Sequence, residues 1–99
     1  MKIIYSLIAQ EEYIEVIYFL ADKFGAQQAI KFEEDFLSNL KQLEKFPNSF
    51  GGFYKTNKRK FMVNKNVTVI FQINEITETV EILNFWFNRS NPEVLLKHL

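Results

Sequence analysis

The sequence contains no cysteine and little proline, glycine or histidine: two Pro, three Gly and one His stand among its 99 residues. The absence of cysteine excludes disulfides and thiol catalysis, and it fits a reducing compartment. No apolar run approaches the roughly 18 residues that a membrane-spanning helix needs. We therefore expect a cytoplasmic protein that makes no membrane contact. Nothing in the sequence calls for a cofactor or a metal, and we expect none.

Hydrophobic residues, in contrast, are abundant. They make up 47% of the chain, and the aromatic residues alone make up 16%, with eleven phenylalanines among them. This content argues against a disordered chain. A chain of 99 residues can bury a core without cross-links, and it has the length of one domain. We expect a single domain over residues 1–99.

The charge is unevenly distributed, although the chain is neutral overall. Residues 1–50 hold five Lys and eight acidic residues, a net charge of −3, and residues 51–99 hold seven Lys or Arg and four Glu, a net charge of +3. No acidic residue lies between Glu44 and Glu75. A local positive field is typical of a surface that meets an anionic partner, but lysine also protects the edge strands of sheets. The pattern supports both interpretations.

Three apolar runs rich in Val, Ile and Phe predict strands at about Arg59–Val63, Val67–Ile73 and Thr79–Phe87. Polar clusters separate the runs, as in an antiparallel meander. The last run is apolar on both faces apart from Asn84, which indicates either cover on both sides or one face offered to a partner. In the middle run, alternate residues share one face: Val67, Val69, Phe71 and Ile73.

Before the meander, the spacing of apolar residues predicts two helices, at about Leu7–Phe24 and Ala26–Lys45. Ser6 is placed to cap the first helix with its hydroxyl, and Gly25 is placed to end it. Because so short a connection joins the helices, they should form an antiparallel hairpin. Residues 2–6 suit a short strand.

The predicted order of elements is therefore β-α-α-β-β-β-(α), which is an α+β fold. We expect an antiparallel sheet of about four strands, covered on one face by the helical hairpin. The first strand should pair at the far end of the meander. Residues 48–57 are predicted as a loop, and residues 93–99 as a short last helix that Pro92 begins.

Several short motifs follow one another along nearly the whole chain. They stand at residues 43–48, 59–63, 69–73 and 86–92, and they read LEKFPN, RKFMV, VIFQI and WFNRSNP. In these motifs and in their spacing the chain resembles the RelE/ParE superfamily of bacterial type II toxins. Each motif alone is short, and their order makes the likeness specific.

This resemblance implies a small cytosolic toxin that is encoded beside a neutralising antitoxin. It also implies roles in growth inhibition and plasmid stabilisation, and assembly as a homodimer or as a heterotetramer with the antitoxin. RelE-like members cut mRNA in the ribosomal A site, where Arg, Lys and Tyr side chains drive attack of the 2′-OH on the adjacent phosphate. ParE-like members lack that set and act on DNA gyrase.

Metal-independent cleavage of RNA needs cations around the phosphate and groups that transfer protons. If the chain is an endoribonuclease, Arg59, Arg89 and Lys58 are the catalytic candidates. For Arg59 the alternative is structural, an ion pair with one of the acids at residues 33–35. A partner or a nucleic acid would meet a wider set of cations: Lys55, Lys58, Arg59, Lys60, Lys65 and Arg89.

Two positions depart from the nuclease pattern. The middle strand carries Thr68 where RelE-type enzymes place an Arg, and Leu95 or Leu96 stands where they place a Tyr. Threonine cannot neutralise a phosphate, and leucine cannot transfer a proton. These departures favour the ParE-like branch, which acts by binding DNA gyrase. A RelE-like ribosome-dependent mRNA endoribonuclease and an inactive or purely structural relative are the alternatives.

Three other features carry weaker signals. His98 stands next to the last residue of the sequence, which favours fraying over catalysis. Glu11, Glu12 and Glu15 are predicted to form a solvated helix side, since no His or Cys joins them as a metal ligand would. Alternation should bury either Trp86 or its two aromatic neighbours, and the exposed ones would be free to stack on bases.

Overall fold

The structure, a computed structural model of the chain, describes residues 1–88. Arg89, His98, the leucines at positions 95 and 96, and the predicted helix at residues 93–99 lie outside the described residues. The described part of the chain has five strands and two helices: β1 (Lys2–Tyr5), α1 (Leu7–Phe24), α2 (Ala26–Lys45), β2 (Gly52–Lys55), β3 (Lys58–Asn64), β4 (Val67–Asn74) and β5 (Thr79–Phe87).

The strands form one sheet in the order β1-β5-β4-β3-β2. Strands β2 to β5 pair antiparallel with their neighbours, and β1 pairs with β5 at the far end of the meander, as predicted. The predicted α+β fold class is confirmed with two corrections. The pairing of β1 with β5 is parallel, and β2 is a fifth strand within the segment predicted as a loop.

Strand β2 is short and irregular, which hid it from the sequence pattern. It follows Gly51, whose φ is 74°, and it ends before a turn at Asn57, whose φ is 63°. Its pairing with β3 is interrupted by a register shift between Phe53 and Lys55. Both of these residues are exposed, so the strand shows no alternation of buried and exposed side chains.

Gly25 alone joins the two helices. Its φ of 95° is a conformation that glycine adopts without strain, and its N–H donates to the carbonyl of Ala21 at 3.0 Å, which ends α1. Helix α2 begins at the next residue. The helices therefore form a hairpin, and both place an apolar side on the same face of the sheet.

Aromatic side chains fill the space between the hairpin and the sheet. Phe32 and Phe71 are fully buried, and the ring of Phe36 stands edge-on to that of Phe85 at 5.1 Å. Burying one such side chain contributes about 1.5–3 kcal/mol, so this cluster supplies the main driving force for folding. Strand β4 faces this core with the alternate residues that were predicted to do so: Val67, Val69 and Phe71.

Strand β5 contains a bulge. Ile70 on β4 pairs with Asn84, but the next residue, Phe71, pairs with Ile82. Leu83 is therefore an extra residue in β5. No residue in the predicted strand Thr79–Phe87 marks this position as a break.

The bulge reverses the alternation along β5. Before it, Val80 and Ile82 point into the core, and after it Phe85 and Phe87 do so. Phe85 is 2% exposed, whereas Trp86 is 40% exposed and lies on the opposite face. This reversal explains why the run is apolar on both faces, and it confirms that Trp86 and its neighbours divide between the two sides.

Ser6 connects the start of α1 to the sheet. Its hydroxyl oxygen accepts a hydrogen bond from the N–H of Ala9 at 3.0 Å, which is the predicted N-cap. The same hydroxyl donates to the carbonyl of Leu83 at 2.9 Å, 77 residues farther along the chain. One side chain thus serves both the helix end and the bulge.

We expect Ser6→Ala to lower the free energy of unfolding by about 1–2 kcal/mol, because the helix loses its cap and the carbonyl of Leu83 loses a partner. Urea denaturation measures the change. Ser38→Ala, at an exposed position on α2, is the matched control. Equal stability of the two variants would contradict the role given to Ser6.

Candidate functional site

The sheet face that points away from the helices, here called the open face, carries a cluster of aromatic and basic side chains. The rings of Tyr54 on β2 and Trp86 on β5 meet edge to face, with their centroids 5.5 Å apart. The Nζ of Lys55 lies 5.2 Å from the centroid of the Tyr54 ring, and that of Lys60 lies 5.8 Å from it. Both distances permit cation–π attraction. We call these four residues the Tyr54 cluster.

The Tyr54 cluster offers two kinds of interaction to a partner. Its rings can stack on bases or pack against apolar side chains, and its ammonium groups can neutralise phosphates or carboxylates. Strand β3 adds Lys58, which is half-buried and shares the alternation of Lys60 along the strand. The positive charge of the open face therefore lies on its β2–β3 side.

The middle of the open face carries hydroxyl and amide groups on either side of Ile70, which is 1% exposed. The hydroxyl of Thr68 donates to Oδ1 of Asn88 at 2.5 Å, and Nδ2 of Asn88 donates to the carbonyl of Lys65 at 2.8 Å. Farther along β4, Nε2 of Gln72 donates to Oε1 of Glu81 at 3.1 Å. The side chain at position 68 is thus held by its neighbour and brings no charge to the face.

Arg59 points to the other side of the sheet from Lys58 and Lys60. Its Nη2 donates to the carbonyl of Phe50 at 2.9 Å and to that of Gly51 at 3.2 Å. These two carbonyls belong to the loop between α2 and β2. The guanidinium therefore holds the end of this loop in place, directly before β2, the strand that carries Tyr54.

The contacts of Arg59 are structural, but they are not the ion pair suggested by the sequence. Within residues 1–88, the acids at positions 33–35 form one ion pair, between Asp35 and Lys31 at 3.5 Å. The Nε of Arg59 is buried and has no hydrogen-bond partner in the described part of the chain. A contact between Arg59 and a partner or a phosphate stays a prediction.

Gly51 lets the same loop pass close beneath β3. A Cβ atom at this position would lie 2.6 Å from the carbonyl oxygen of Lys60 and 3.3 Å from a ring carbon of Phe71. Any side chain would therefore push the loop off the strand. Together with Arg59, this glycine determines where β2 begins.

The structure brings some of the predicted cations together and separates others. Lys55 and Lys60 meet at Tyr54, and Lys58 lies beside them on β3. Sequence reasoning missed Tyr54, whose only signal was its position directly before a lysine in the stretch without acids. Lys65 lies in the β3–β4 turn, away from this group. Arg89 lies outside the described residues.

Glu12 does not belong to a solvated helix side, and this prediction was wrong. Its half-buried carboxylate accepts hydrogen bonds from Nδ2 of Asn84 and from the backbone N–H of Phe85, both at 3.1 Å. Among the described residues, no group of three or more His, Asp or Glu side chains is arranged to hold a metal ion. No helix within residues 1–88 is both long and apolar enough to cross a membrane.

The outer side of the helical hairpin is a second surface, and it is apolar. Leu7 and Tyr18 on α1 are 77% and 73% exposed, and Ile14 lies between them at helical spacing. Ile30 and Leu37 are exposed on α2. An apolar surface of this kind is typical of a site that another protein covers.

A groove of about 370 Å³ opens between the helices and the end of β1. Inside it, the hydroxyl of Tyr13 donates to Oε2 of Glu33 at 2.9 Å. Burial and this bond to a carboxylate raise the pKa of Tyr13 above its usual value. The lining of the groove is mostly apolar: Tyr5, Gln10, Tyr13, Glu33, Phe36 and Leu37.

No protein-family model and no curated protein matches the sequence. The fold, in contrast, is similar to solved structures. One is the chromosomal ParDE toxin–antitoxin system from P. aeruginosa, with a TM-score of 0.70 and 16% identity over 86% of this chain and 92% of that one. Another is the YoeB/ParE toxin from Agrobacterium tumefaciens, with a TM-score of 0.64 and 10% identity over 89% of this chain and 99% of that one.

The chain therefore has the fold of these two structures, in agreement with the resemblance of its sequence motifs. At 16% and 10% identity the likeness establishes the fold alone. Activity has to be inferred from the residues on the two surfaces.

We expect Arg59→Ala to lower the free energy of unfolding by about 1.5–3 kcal/mol, because two loop carbonyls lose a charged donor. Lys60→Ala, on the neighbouring residue but on the open face, should change it by no more than about 0.5 kcal/mol. Chemical denaturation measures both. The structural role of Arg59 is wrong if its variant is as stable as that of Lys60.

Proposed function

We propose that the chain is the toxin of a bacterial type II toxin–antitoxin pair, and that it is ParE-like and inhibits DNA gyrase by binding it through the open face. The similarity in fold to toxin structures supports the class of protein. The arrangement of charge on the open face supports binding without chemistry.

The observation that carries this proposal is the position of Thr68. It lies on the central strand of the open face, where the RelE pattern has an Arg, and its hydroxyl is bonded to Asn88. An enzyme that cleaves RNA without a metal needs a cation to stabilise the charge that develops on the phosphate. The lysines of the described open face lie to one side, around Tyr54. Such a patch suits a protein target that presents acidic side chains.

Cleavage of ribosome-bound mRNA is the second candidate function, and the Tyr54 cluster is the observation that favours it. Lys55 and Lys60 provide two cations beside the ring of Tyr54, whose hydroxyl is a group that can transfer a proton. The exposed ring of Trp86 is available to stack on a base. Such a nuclease would use a set of residues different from the RelE pattern. Both functions use one face, so direct assays must separate them.

We expect the purified protein to inhibit supercoiling by DNA gyrase and to leave ribosome-bound mRNA intact. The double variant Lys55→Ala/Lys60→Ala should inhibit at least about tenfold more weakly, because it loses two charges that face the target. Lys31→Ala, at an exposed position on α2, should inhibit like the unaltered protein.

Two other outcomes of these assays would contradict the gyrase proposal. Cleavage of mRNA on ribosomes that is lost in Tyr54→Phe would support the nuclease instead. A protein that affects neither gyrase nor mRNA, and that leaves growth normal when it is produced without an antitoxin, would contradict both functions.

The proposal requires an antitoxin, and the outer side of the hairpin offers it a surface. The exposed row of Leu7, Ile14 and Tyr18 runs for about 16 Å along α1. Glu11 and Glu15 flank the row on the side away from α2. A second copy of this chain would bring like charges together, so we expect an antitoxin helix whose apolar side is flanked by Lys or Arg. The basic open face calls for the opposite, an antitoxin segment rich in acidic residues.

We expect Ile14→Asp to weaken binding of the antitoxin at least about tenfold, because the complex would bury an unpaired charge. The matched control is Ile76→Asp, which places the same charge in the exposed β4–β5 turn. Titration calorimetry with the protein encoded beside the toxin measures both affinities. Equal affinities of the two variants would show that the antitoxin does not cover α1.

A further inference from the structure

The pairing of β1 with β5 runs as far as Tyr5 and Ile82, and the N–H of Ser6 donates to the carbonyl of Ile82 at 3.0 Å. Beyond that point, Oε1 of Glu12 on α1 accepts a hydrogen bond from the N–H of Phe85 at 3.1 Å and a second one from Nδ2 of Asn84 at 3.1 Å. A carboxylate thus takes the place of a neighbouring strand for a backbone donor at the edge.

Glu12 acts on the bulge of β5. Leu83 is the extra residue of the bulge, and Asn84 and Phe85 directly follow it. A bulge interrupts the regular ladder, so its polar groups need partners from elsewhere. Glu12 is half-buried, whereas Glu15, less than one turn along the same helix, is exposed.

The bulge decides which way Trp86 points. A slip of one residue in a strand exchanges the residues of its two faces. With the bulge, Phe85 lies in the core, and the ring of Trp86 lies on the open face, 5.5 Å from the ring of Tyr54. Without the bulge, Trp86 would turn towards the helices and Phe85 towards the open face.

We propose that Glu12 is a positioning residue: its carboxylate holds the bulge of β5 and thereby fixes Trp86 against Tyr54 in the Tyr54 cluster. The side chain of Glu12 reaches from α1 to the edge of β5. Its effect on the open face therefore passes through the backbone of residues 84–86. The inference rests on the proposed function in one respect, that the Tyr54 cluster contacts the target.

The chain contains a single tryptophan, so its fluorescence reports on Trp86 alone. Glu12→Ala removes the acceptor of both hydrogen bonds, and the ratio of displaced to seated Trp86 should rise about tenfold or more. We expect a shifted emission maximum and the loss of nuclear Overhauser effects between the rings of Trp86 and Tyr54. Glu12→Gln keeps an acceptor oxygen and should restore both signals. Glu15→Ala, on the exposed side of the helix, should change neither.

A second measurement uses the unaltered protein and does not depend on whether Glu12→Ala folds. The amide hydrogen of Phe85 should exchange slowly with solvent, although it lies beyond the end of β1, because the carboxylate of Glu12 accepts its hydrogen bond. Fast exchange at Phe85 would overturn the proposal. So would an unchanged Trp86 spectrum in folded Glu12→Ala.

Target binding separates the failure of this inference from the failure of the proposed function. Inhibition of gyrase should fall in Glu12→Ala about as far as in Trp86→Ala, and the double variant should lose no more, because both changes act through one ring. If Trp86 moves in Glu12→Ala but Trp86→Ala inhibits normally, the positioning role holds and the open face is not the target surface. If Trp86 does not move, the positioning role is wrong, whatever the target.

Discussion

The ring of Phe85 lies where both helices meet the sheet, 5.4 Å from the ring of Tyr13 on α1 and 5.1 Å from that of Phe36 on α2. Aromatic contacts of this kind contribute more than the area that they bury. The same contact requires the bulge in β5, because in a regular strand Phe85 would point away from the helices. It therefore also places the next residue, Trp86, on the open face. Packing on one side of the sheet determines the surface on the other side.

The sheet separates two surfaces with different chemistry. The outer side of the hairpin is apolar and lies in the half of the chain that carries a net charge of −3. The open face has its lysines gathered at Tyr54, in the half that carries +3. In the proposed toxin, the two surfaces can thus recognise an antitoxin and a target through different types of interaction. Apolar contact would dominate on the helices, and charge would dominate on the sheet.

The features that depend on neighbouring residues could be predicted from the sequence. The capping role of Ser6, the break between helices at Gly25 and the three strands of the meander follow from local signals. Strand β2 is too short and irregular to show a pattern of its own. The parallel pairing of β1 with β5 joins residues more than 70 positions apart, so the local pattern does not show it. The same holds for Glu12, whose partners lie more than 70 residues later.

The sequence shows the candidate site as a stretch of cations, but it does not show which side chains come together in the structure. Alternation along β3 turns Arg59 to the helix side, where it holds the loop before β2. The bulge in β5 brings Trp86 to the open face, and the added strand β2 brings Tyr54 to meet it. Each of these placements follows from register, which three-dimensional pairing decides.

Hydrogen exchange of the protein with and without DNA gyrase tests most directly whether the open face contacts the target. The proposed contact predicts slower exchange in residues 52–60 and around Trp86 when gyrase is present, with no change along the outer side of α1. Slower exchange on α1 alone, or unchanged exchange throughout residues 1–88, would contradict a contact between the open face and gyrase.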